Sequence, residues 1–269
     1  MRDIEAHYSD GGLLERVLQA LGALHGDLAE LSVDDLAPVD EFHTRGRAAT
    51  RELAELGGLE PGLRVLDVGS GLGGPARFLA AHRGCDVTGV DLVAEFCQVA
   101  TELTRLTRLE DRVRFQQANA LALPFPDASF DAVWTLQAQM NIADKRGFYR
   151  EIARVLAPGG RFVFQDICAG NGEPLEFPVP WATQPPQSHL VAPDALRALL
   201  GELGLREQTW RDVSATTRAW RAARPAPATP PALGTHLIMG ERAAEKRRNS
   251  TGNLDQGRIA FVQGVFVRP

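Results

Sequence analysis

The sequence predicts an α/β protein built on a doubly wound sheet, and three observations support this prediction. A short apolar strand at 64–68 runs directly into a glycine-rich loop and then into a helix, which is the basic unit of such sheets. Apolar strands then alternate with helical segments, and this alternation indicates a parallel sheet with right-handed crossovers. Apolar residues make up 44% of the 269 residues, enough for one large α/β domain or two small ones.

Helical segments precede and flank the predicted strands. Residues 11–56 are expected to be helical because apolar residues recur every three or four positions from Leu13 to Leu24, and a second helix is expected from about 45 to 56. The expected strands are 64–68, 86–90, 112–116, 130–135, 161–166, 206–213 and 258–267. The remaining expected helices are 75–82, 94–106, 146–155 and 194–203.

Two segments interrupt this alternation. Residues 169–193 are rich in proline and contain two large aromatic residues, which predicts an ordered loop. Residues 222–235 have the composition of a proline-rich linker. Residues 241–248 follow it, and their charges recur at helical spacing, which predicts a helix with a solvated face.

The loop after the first strand carries the most informative pattern. Gly69, Gly71 and Gly74 have the spacing of a dinucleotide-binding loop, in which the missing side chains let a ligand approach the backbone. Asp67 at the strand tip argues against a dinucleotide, because its carboxylate would face a pyrophosphate of like charge. A cofactor with cationic groups and no phosphate fits better, and S-adenosylmethionine (SAM) has an ammonium, a sulfonium and an adenosine.

A second acid indicates the adenosine. Asp91 closes the second strand twenty residues after Gly71, where a carboxylate can accept hydrogen bonds from both ribose hydroxyls, as in nicotinamide enzymes. Two further motifs follow at 115–134 and 154–164. With these four motifs in this order, the sequence resembles the class I SAM-dependent methyltransferases, specifically the small-molecule group that includes quinone and sarcosine/dimethylglycine methyltransferases. The resemblance covers about residues 40–170.

The resemblance implies a particular architecture. It implies a Rossmann-like sheet of about seven strands, mostly parallel with an antiparallel last strand, together with N-terminal helices and a lid. The implied parts are an N-terminal helical segment forming part of the lid (1–60), a SAM-binding core (61–168), a lid insertion (169–193) and a C-terminal completion of the sheet (194–269), which contains the linker.

The resemblance also implies cofactor contacts. Gly69 and Gly71 would pass beneath the methionine part of SAM, and Asp91 would bind the ribose. Asn119 and Ala120 would read the adenine edge, where relatives often carry Asp. The expected cofactor-binding residues are Asp67, Gly69, Ser70, Gly71, Asp91, Leu92, Asn119, Ala120 and Gln137. The alternative is that the acids only cap neighbouring helices or turns.

The candidate catalytic residues are His43, Gln139 and His189. His43 precedes the helix that relatives fold across the cofactor, and His189 belongs to the 169–193 insertion. Some relatives carry a histidine after the fourth strand where this chain has Ala138, and Gln139 can orient a polar group but cannot take a proton. The candidate substrate-binding residues are Phe177, Trp181 and Met140, with packing inside the lid as the alternative for the two aromatic residues.

We therefore expect methyl transfer from SAM to a nitrogen, carbon or oxygen atom of a small-molecule acceptor, with S-adenosylhomocysteine (SAH) as the product. A sulfonium is already activated, so the enzyme mainly aligns the acceptor, and a clear catalytic base is not required for every acceptor. The alternatives are a SAM-binding enzyme of this fold that catalyses a rearrangement or decarboxylation, a nicotinamide-dependent reductase, and a non-catalytic SAM-binding protein. Asp67 argues against the reductase.

Composition restricts the partners and the compartment. The net charge of −5 argues against nucleic acid or an anionic membrane as the main partner. The three cysteines lack metal-site spacing, so neither a disulfide framework nor a metal is expected. The N-terminus does not read as a signal peptide and no apolar stretch reaches membrane-spanning length, so we expect a cytoplasmic protein. A small-molecule acceptor is the expected partner, and a homodimer is left open.

Overall fold

The computed structural model describes residues 8, 11–224, 229–240 and 242–269, and its centre is a seven-stranded sheet of order β3-β2-β1-β4-β5-β7-β6. The strands are β1 (Arg64–Val68), β2 (Asp86–Asp91), β3 (Val113–Gln117), β4 (Phe130–Leu136), β5 (Leu156–Ala169), β6 (Arg206–Asp212) and β7 (Ile259–Val267). Neighbouring strands from β3 to β5 are parallel, whereas β7 is antiparallel to both β5 and β6. The predicted fold class, including the antiparallel last strand, is confirmed.

Helices cover the two faces of this sheet. They are α1 (Leu13–His25), α2 (Val33–Asp40), α3 (Arg47–Leu56), α4 (Gly74–Arg83), α5 (Ala94–Leu106), α6 (Lys145–Val155), α7 (Pro193–Glu202), α8 (Ser214–Ala222), α9 (His236–Met239) and α10 (Ala243–Asp255). Val65 of β1 packs with Leu79 of α4 on one face. Leu66 packs with Ile152 of α6 on the other, because successive strand residues point to opposite faces.

The strand order changes direction at β1. Val65 pairs with Val87 of β2 on one side and with Ala132 of β4 on the other. The connections that leave the carboxyl ends of β1 and β4 therefore diverge and leave a crevice, which is where ligands bind in open α/β sheets. The glycine loop lies at this crevice because it directly follows β1.

The N-terminal segment contains more helices than its periodicity predicted. α1 ends at Gly26, whose N–H donates to the Gly22 carbonyl. The chain then restarts as α2 after Ser32, whose side chain accepts from the Asp35 N–H while the Asp35 carboxylate accepts from the Ser32 N–H. This reciprocal cap fixes a new helix start, and it explains why the helical segment expected before residue 45 is divided in two.

The C-terminal part differs from the prediction in two places. α8 occupies 214–222, to which the sequence had assigned no element, and the Asp212 carboxylate accepts from the N–H of Ser214 at its start (2.8 Å). α10 confirms a helix in the charged segment, but Lys246 and Ser250 on it are buried, so this face packs against the rest of the protein. Residues 225–228 of the expected linker lie outside the described residues.

β5 is also longer than the expected 161–166, since it begins at Leu156 and includes the glycine turn. The insertion that follows it contains one short 3-10 helix, Pro185–Gln187, and one isolated bridge between Val179 and Ala182. Among the residues that the structure describes, no helix is long and apolar enough to cross a membrane.

Candidate active site

A cavity of about 1360 Å³ lies at the crevice beyond the carboxyl ends of β1, β2 and β4. Its floor is the glycine loop and the loops after β2, β3 and β4, and its other walls come from the 40–48 segment, the 169–193 insertion, α8 and α10. The volume exceeds the roughly 300–1,000 Å³ of a typical small-molecule site. The cavity therefore has room for a cofactor and a second ligand.

The glycine loop leaves open space at the floor of the cavity. Gly71 has φ +53° and no heavy atom lies within 4 Å of the position that a Cβ would take, so a ligand can lie against its backbone. Gly69 has φ +79°, and a Cβ there would approach the Ala138 side chain to 2.8 Å. The missing side chain therefore has a different purpose at each position. At Gly69 it leaves room for the loop after β4, and at Gly71 it leaves room for a ligand.

Asp67 is a buried acid without a full set of partners. Only 1% of it is exposed, and among the described residues its Oδ2 has no hydrogen-bond partner, nor has the hydroxyl of nearby Ser70. Burial, together with the charges of Asp91 and Glu41, raises the Asp67 pKa to about 8. An acid in this position is neutralised either by a proton or by a cation. The ammonium of SAM fits this group.

Asp91 is held by backbone donors at the tip of β2. Its Oδ2 accepts from the Gly71 N–H (2.9 Å) and its Oδ1 from the Val93 N–H (3.0 Å). Burial still raises its pKa above the usual range. Each carboxylate oxygen accepts more than one hydrogen bond, so both keep capacity for ligand hydroxyls. Leu92 lines the cavity beside it.

The loop after β3 forms the next part of the wall. Asn119 and Ala120 line the cavity, and Asn119 Oδ1 accepts from the Leu121 N–H (3.0 Å). The N–H of Ala118 donates to the Asp91 carbonyl (2.9 Å), which ties this loop to the tip of β2. The expected adenine-reading residues therefore lie next to the expected ribose-binding residue.

The loop after β4 turns one of its two glutamines into the cavity and the other away. Gln137 has φ +55°, its Oε1 accepts from the Thr44 N–H (3.2 Å), and its buried Nε2 has no partner among the described residues. Gln139 is fully buried, and its Nε2 donates to the Ile167 carbonyl (2.8 Å). The prediction that Gln139 orients a substrate is therefore wrong, because its amide serves the strand behind it. Met140 does line the cavity.

His43 belongs to a buried polar network. Its Nε2 lies 3.2 Å from both the Gly46 carbonyl and Thr50 Oγ1, and 3.4 Å from Glu41 Oε2. A carbonyl only accepts, so this nitrogen carries the hydrogen. Burial lowers the His43 pKa to about 4. His43 lines the cavity, but it is a weak base whose Nε2 is engaged within the N-terminal segment.

His189 presents a different environment. Its backbone N–H donates to the Met140 carbonyl (2.8 Å), which fixes the insertion against the loop after β4. Its ring lines the cavity and has no hydrogen bond to any other described residue. Burial and the charge of Lys145 lower its pKa below the usual value, so the imidazole is neutral at pH 7 and can accept a proton.

The two aromatic residues of the insertion lie in different environments. Trp181 is only 2% exposed, its Nε1 donates to Ser188 Oγ (2.9 Å), and it also lines the cavity. Phe177 packs against the apolar cluster that contains Val179 and Ile167, and it does not line the cavity. Phe177 as a substrate-binding residue is therefore a wrong prediction, since its partly buried ring packs against this cluster instead.

Several residues that line the cavity were not predicted. The hydroxyl of Tyr8 donates to Asn141 Oδ1 (3.0 Å), and Asn141 Nδ2 donates to the Trp181 carbonyl (2.7 Å). Arg221 of α8 and Arg247 of α10 also contribute. The only local signal was the three-residue spacing of arginines at 218–224, and nothing in the sequence placed that stretch near the glycine loop. Within the described ranges, no cluster of three His, Cys, Asp or Glu side chains could hold a metal.

Comparison with known proteins gives a consistent result. A family model described as "Methyltransferase domain" matches residues 66–164. The chain is 33% identical to the methyltransferase GfsG of Streptomyces halstedii over 224 residues, which is 82% of this chain and 79% of that protein. It is 34% identical over 198 residues to the 27-O-demethylrifamycin SV methyltransferase of Amycolatopsis mediterranei, which is 68% of this chain and 70% of that protein.

A solved structure shares the whole fold. A geranyl diphosphate methyltransferase in complex with GPP and sinefungin has a TM-score of 0.73 and 21% identity, and the match covers 100% of this chain and 98% of that one. At this identity the likeness concerns the fold alone. It includes the N-terminal helices and the C-terminal strands, which lie outside the segment that the family model matches.

Proposed function

Because the chain belongs to the SAM-dependent methyltransferases, we propose that it transfers the methyl group to a hydroxyl oxygen of a bulky small-molecule acceptor. Methyl transfer from SAM to a small molecule, with SAH as the product, is its family activity. The observation that carries the choice of oxygen is His189, a neutral imidazole that lines the cavity without a hydrogen-bond partner in the described chain. A hydroxyl needs a base, whereas an amine or a stabilised carbanion needs less help.

The cofactor end of the cavity would be formed by the loops after β1, β2 and β3. Asp67 would bind the ammonium, Asp91 the ribose hydroxyls, and Asn119 with Ala120 the adenine edge. Gln137 Nε2 supplies a buried donor without a partner in the described residues, and Gly71 leaves its backbone open. When bound, the sulfonium supplies an activated methyl group. The protein's part is to hold the acceptor oxygen in line with it.

The acceptor would occupy the part of the cavity that adjoins Met140, Trp181 and His189. His189 would accept the hydroxyl proton as the carbon–oxygen bond forms, and its low pKa keeps the ring ready at pH 7. The volume of about 1360 Å³ supports a bulky acceptor beside the cofactor. One relative of high coverage is named for a 27-O-demethyl substrate, which supports an oxygen acceptor.

We propose that the N-terminal segment and the insertion together form a lid. Asn141 joins them, since it accepts from the Tyr8 hydroxyl and donates to the Trp181 carbonyl. A lid that excludes water protects the reaction and strengthens electrostatic contacts inside the site. The cytoplasmic location and the absence of a nucleic-acid partner stay predictions from the sequence, and the question of a homodimer stays open.

The experiment is an SAH-release assay with SAM and three probes, 27-O-demethylrifamycin SV, a hydroquinone and a primary amine of comparable size. We expect SAH release and a mass gain of one methyl group on a hydroxyl-bearing probe. Methylation of the amine alone would overturn the oxygen assignment. Conversion of a probe without stoichiometric SAH would instead favour a SAM-binding enzyme of the same fold that catalyses another reaction.

A further inference from the structure

Two strand-tip carboxylates and a group of arginines reach the cavity from different parts of the sheet. Asp67 and Asp91 lie at the carboxyl ends of β1 and β2. A group of arginines comes from α8, which follows β6, and from α10, which precedes β7. Since β4 and β5 lie between β1 and β7 in the sheet, Asp67 and Asp91 reach the cavity from one end and these arginines from the other, where Asp255 of α10 also lies.

Two arginines of α8 are neighbours on the helix surface, since Arg218 and Arg221 are three residues apart. Arg224 follows just beyond the end of α8. All three line the cavity, together with Arg247 of α10. Four guanidinium groups therefore lie at this end of the cavity, among neutral side chains and the carboxylate of Asp255.

Arg221 is fixed in place by neutral groups. Its Nη1 donates to the Ser250 carbonyl (3.0 Å), its Nη2 to Ser250 Oγ (3.2 Å), and its guanidinium lies 5.6 Å from the centre of the Phe261 ring. Burial lowers its pKa to about 10, and the charge of Asp255 acts in the opposite direction. It stays charged at pH 7, and burial strengthens its interaction with any anion that enters.

These arginines have no carboxylate partner in the described part of the chain. Across residues 8, 11–224, 229–240 and 242–269, no carboxylate oxygen lies within 4.0 Å of the guanidinium groups of Arg218, Arg221, Arg224 or Arg247. Other arginines of the described chain are paired, such as Arg197 with Glu207 and Arg242 with Glu245. The single carboxylate that α10 adds to the cavity wall is Asp255.

The basic group adjoins the proposed acceptor space. Arg221 Nη2 lies 3.5 Å from Thr44 Oγ1, and the Thr44 N–H donates to Gln137 Oε1 (3.2 Å). Thr44 thus connects α8 with the loop after β4, which carries Met140. A group held by Arg221 would belong to a molecule that also reaches this loop.

We propose that Arg221, with Arg218, Arg224 and Arg247, binds an anionic group of the acceptor, either a carboxylate or a phosphate. The inference rests on the proposed methyl transfer, and it adds that the acceptor is an anion. A planar guanidinium matches the two oxygens of either group, and several of them around one anion hold it in a defined orientation. The charge would orient the acceptor with its reacting atom toward the cofactor end.

The test compares three probes with one shared tail, geranyl diphosphate, geranic acid and geraniol, by calorimetric titration of the SAH-loaded protein. We expect at least one of the two charged probes to bind about tenfold or more tightly than geraniol. The tighter of the two identifies the group as a phosphate or a carboxylate. Arg221→Met and, separately, the more exposed Arg224→Met should each reduce this preference. Arg242→Met, outside the cavity, should leave it unchanged.

The two hypotheses fail in distinguishable ways. Equal or tighter binding of geraniol, or no binding of either charged probe at about 1 mM, would overturn the anion site while SAH binding still supports the methyltransferase. A preference that survives in both Arg221→Met and Arg224→Met would also overturn it. Absence of SAH binding in a folded protein would instead count against the proposed function.

Discussion

At the scale of single residues, the chemistry of the cavity depends on the protonation states of Asp67 and His189. Burial raises the pKa of Asp67 to about 8, above pH 7, and it lowers the pKa of His189 below its usual value. Asp67 is mostly protonated in the free protein, whereas His189 is mostly neutral. Asp67 can therefore exchange its proton for a cationic ligand, and His189 can accept a proton.

Asp67 makes SAH binding depend on pH. Its pKa is about 8 in the free protein, so pairing with an ammonium at pH 7 must release close to one proton. Affinity should rise with pH up to about 8 and then level off. Calorimetry in two buffers of different ionisation enthalpy measures the proton count. Asp67→Asn should lower both the affinity and the count, whereas Asp131→Asn, at the exposed pair with Arg64, should change neither. An unchanged proton count in Asp67→Asn would refute this role.

His189 should set the acidic limb of the pH–rate profile. Activity should rise as pH increases through its pKa, below the usual 6.5, and then stay level, because only the neutral ring accepts a proton. His189→Gln should lower kcat about 10²–10⁴-fold and remove this limb while SAH affinity is kept. If His189→Gln and wild type show the same profile, the base is another group or none is needed. His43→Gln serves as comparison and should mainly lower stability, since its ring closes a buried network.

The sequence predicted the strand-tip residues better than the turn residues. Asp67 and Asp91 could be placed at the crevice because the end of a strand fixes the position of its last residues, and the alternation along the strand fixes their faces. Gln137 and Gln139 are two positions apart in a turn, where no such alternation holds, and only the structure shows that one faces the cavity and the other a strand.

At the scale of secondary-structure elements, one buried ion pair holds the N-terminal segment to the core. Arg77 of α4 and Asp40 of α2 are both 0% exposed at their side chains and lie 2.7 Å apart. Arg77 also donates to the Leu72 carbonyl of the glycine loop and to the Ala100 carbonyl of α5. The Arg77 side chain therefore joins α2 and α5 to the glycine loop. The sequence did not single it out, because an arginine in a helix is typical of a solvated face.

Arg77→Met should lower the free energy of unfolding by about 3–5 kcal/mol, because it leaves the Asp40 carboxylate buried without its partner. Denaturant titration measures this loss. Arg83→Met at the end of the same helix is the control and should cost less than about 1 kcal/mol, since its pair with Glu55 is partly exposed. Adding Asp40→Leu to Arg77→Met should recover much of the loss. A cost for Arg77→Met no larger than that of the control would contradict this account.

α8 shows why an element can be missed altogether. Its sequence, Ser214–Ala222, contains two adjacent threonines and little apolar periodicity, so propensity and pattern favour a helix only weakly. The helix forms because Thr217 and Val213 pack inward and Arg221 is fixed over Phe261. These are tertiary contacts between segments far apart in the chain. The anion site inferred above depends on this element and was equally beyond local prediction.

At the scale of the whole molecule, local patterns were enough for the sheet but not for the closure of the cavity. The alternation of strands and helices predicted the fold class because each strand–helix unit has to bury its apolar face in the same way. The contacts that close the cavity join Tyr8 to Asn141 and Thr44 to Arg221, pairs separated by 133 and 177 residues. Such pairs leave no periodic signal in either partner's own segment.

Because loops from most of the chain meet at the cavity, SAH should stabilise the protein as a unit. A ligand at about one hundred times its Kd adds about 2.7 kcal/mol to the free energy of unfolding, which corresponds to a Tm increase of roughly 5–10 °C for a domain of this size. NADH should have no effect, because its pyrophosphate offers Asp67 no cation to pair with and its charge opposes ionisation of that buried acid. Differential scanning calorimetry with each ligand decides between them. Gly71→Val, which fills the open space at the cavity floor, should abolish the SAH shift in a protein that still unfolds cooperatively. A Tm increase with NADH and none with SAH would exclude the cofactor arrangement argued here.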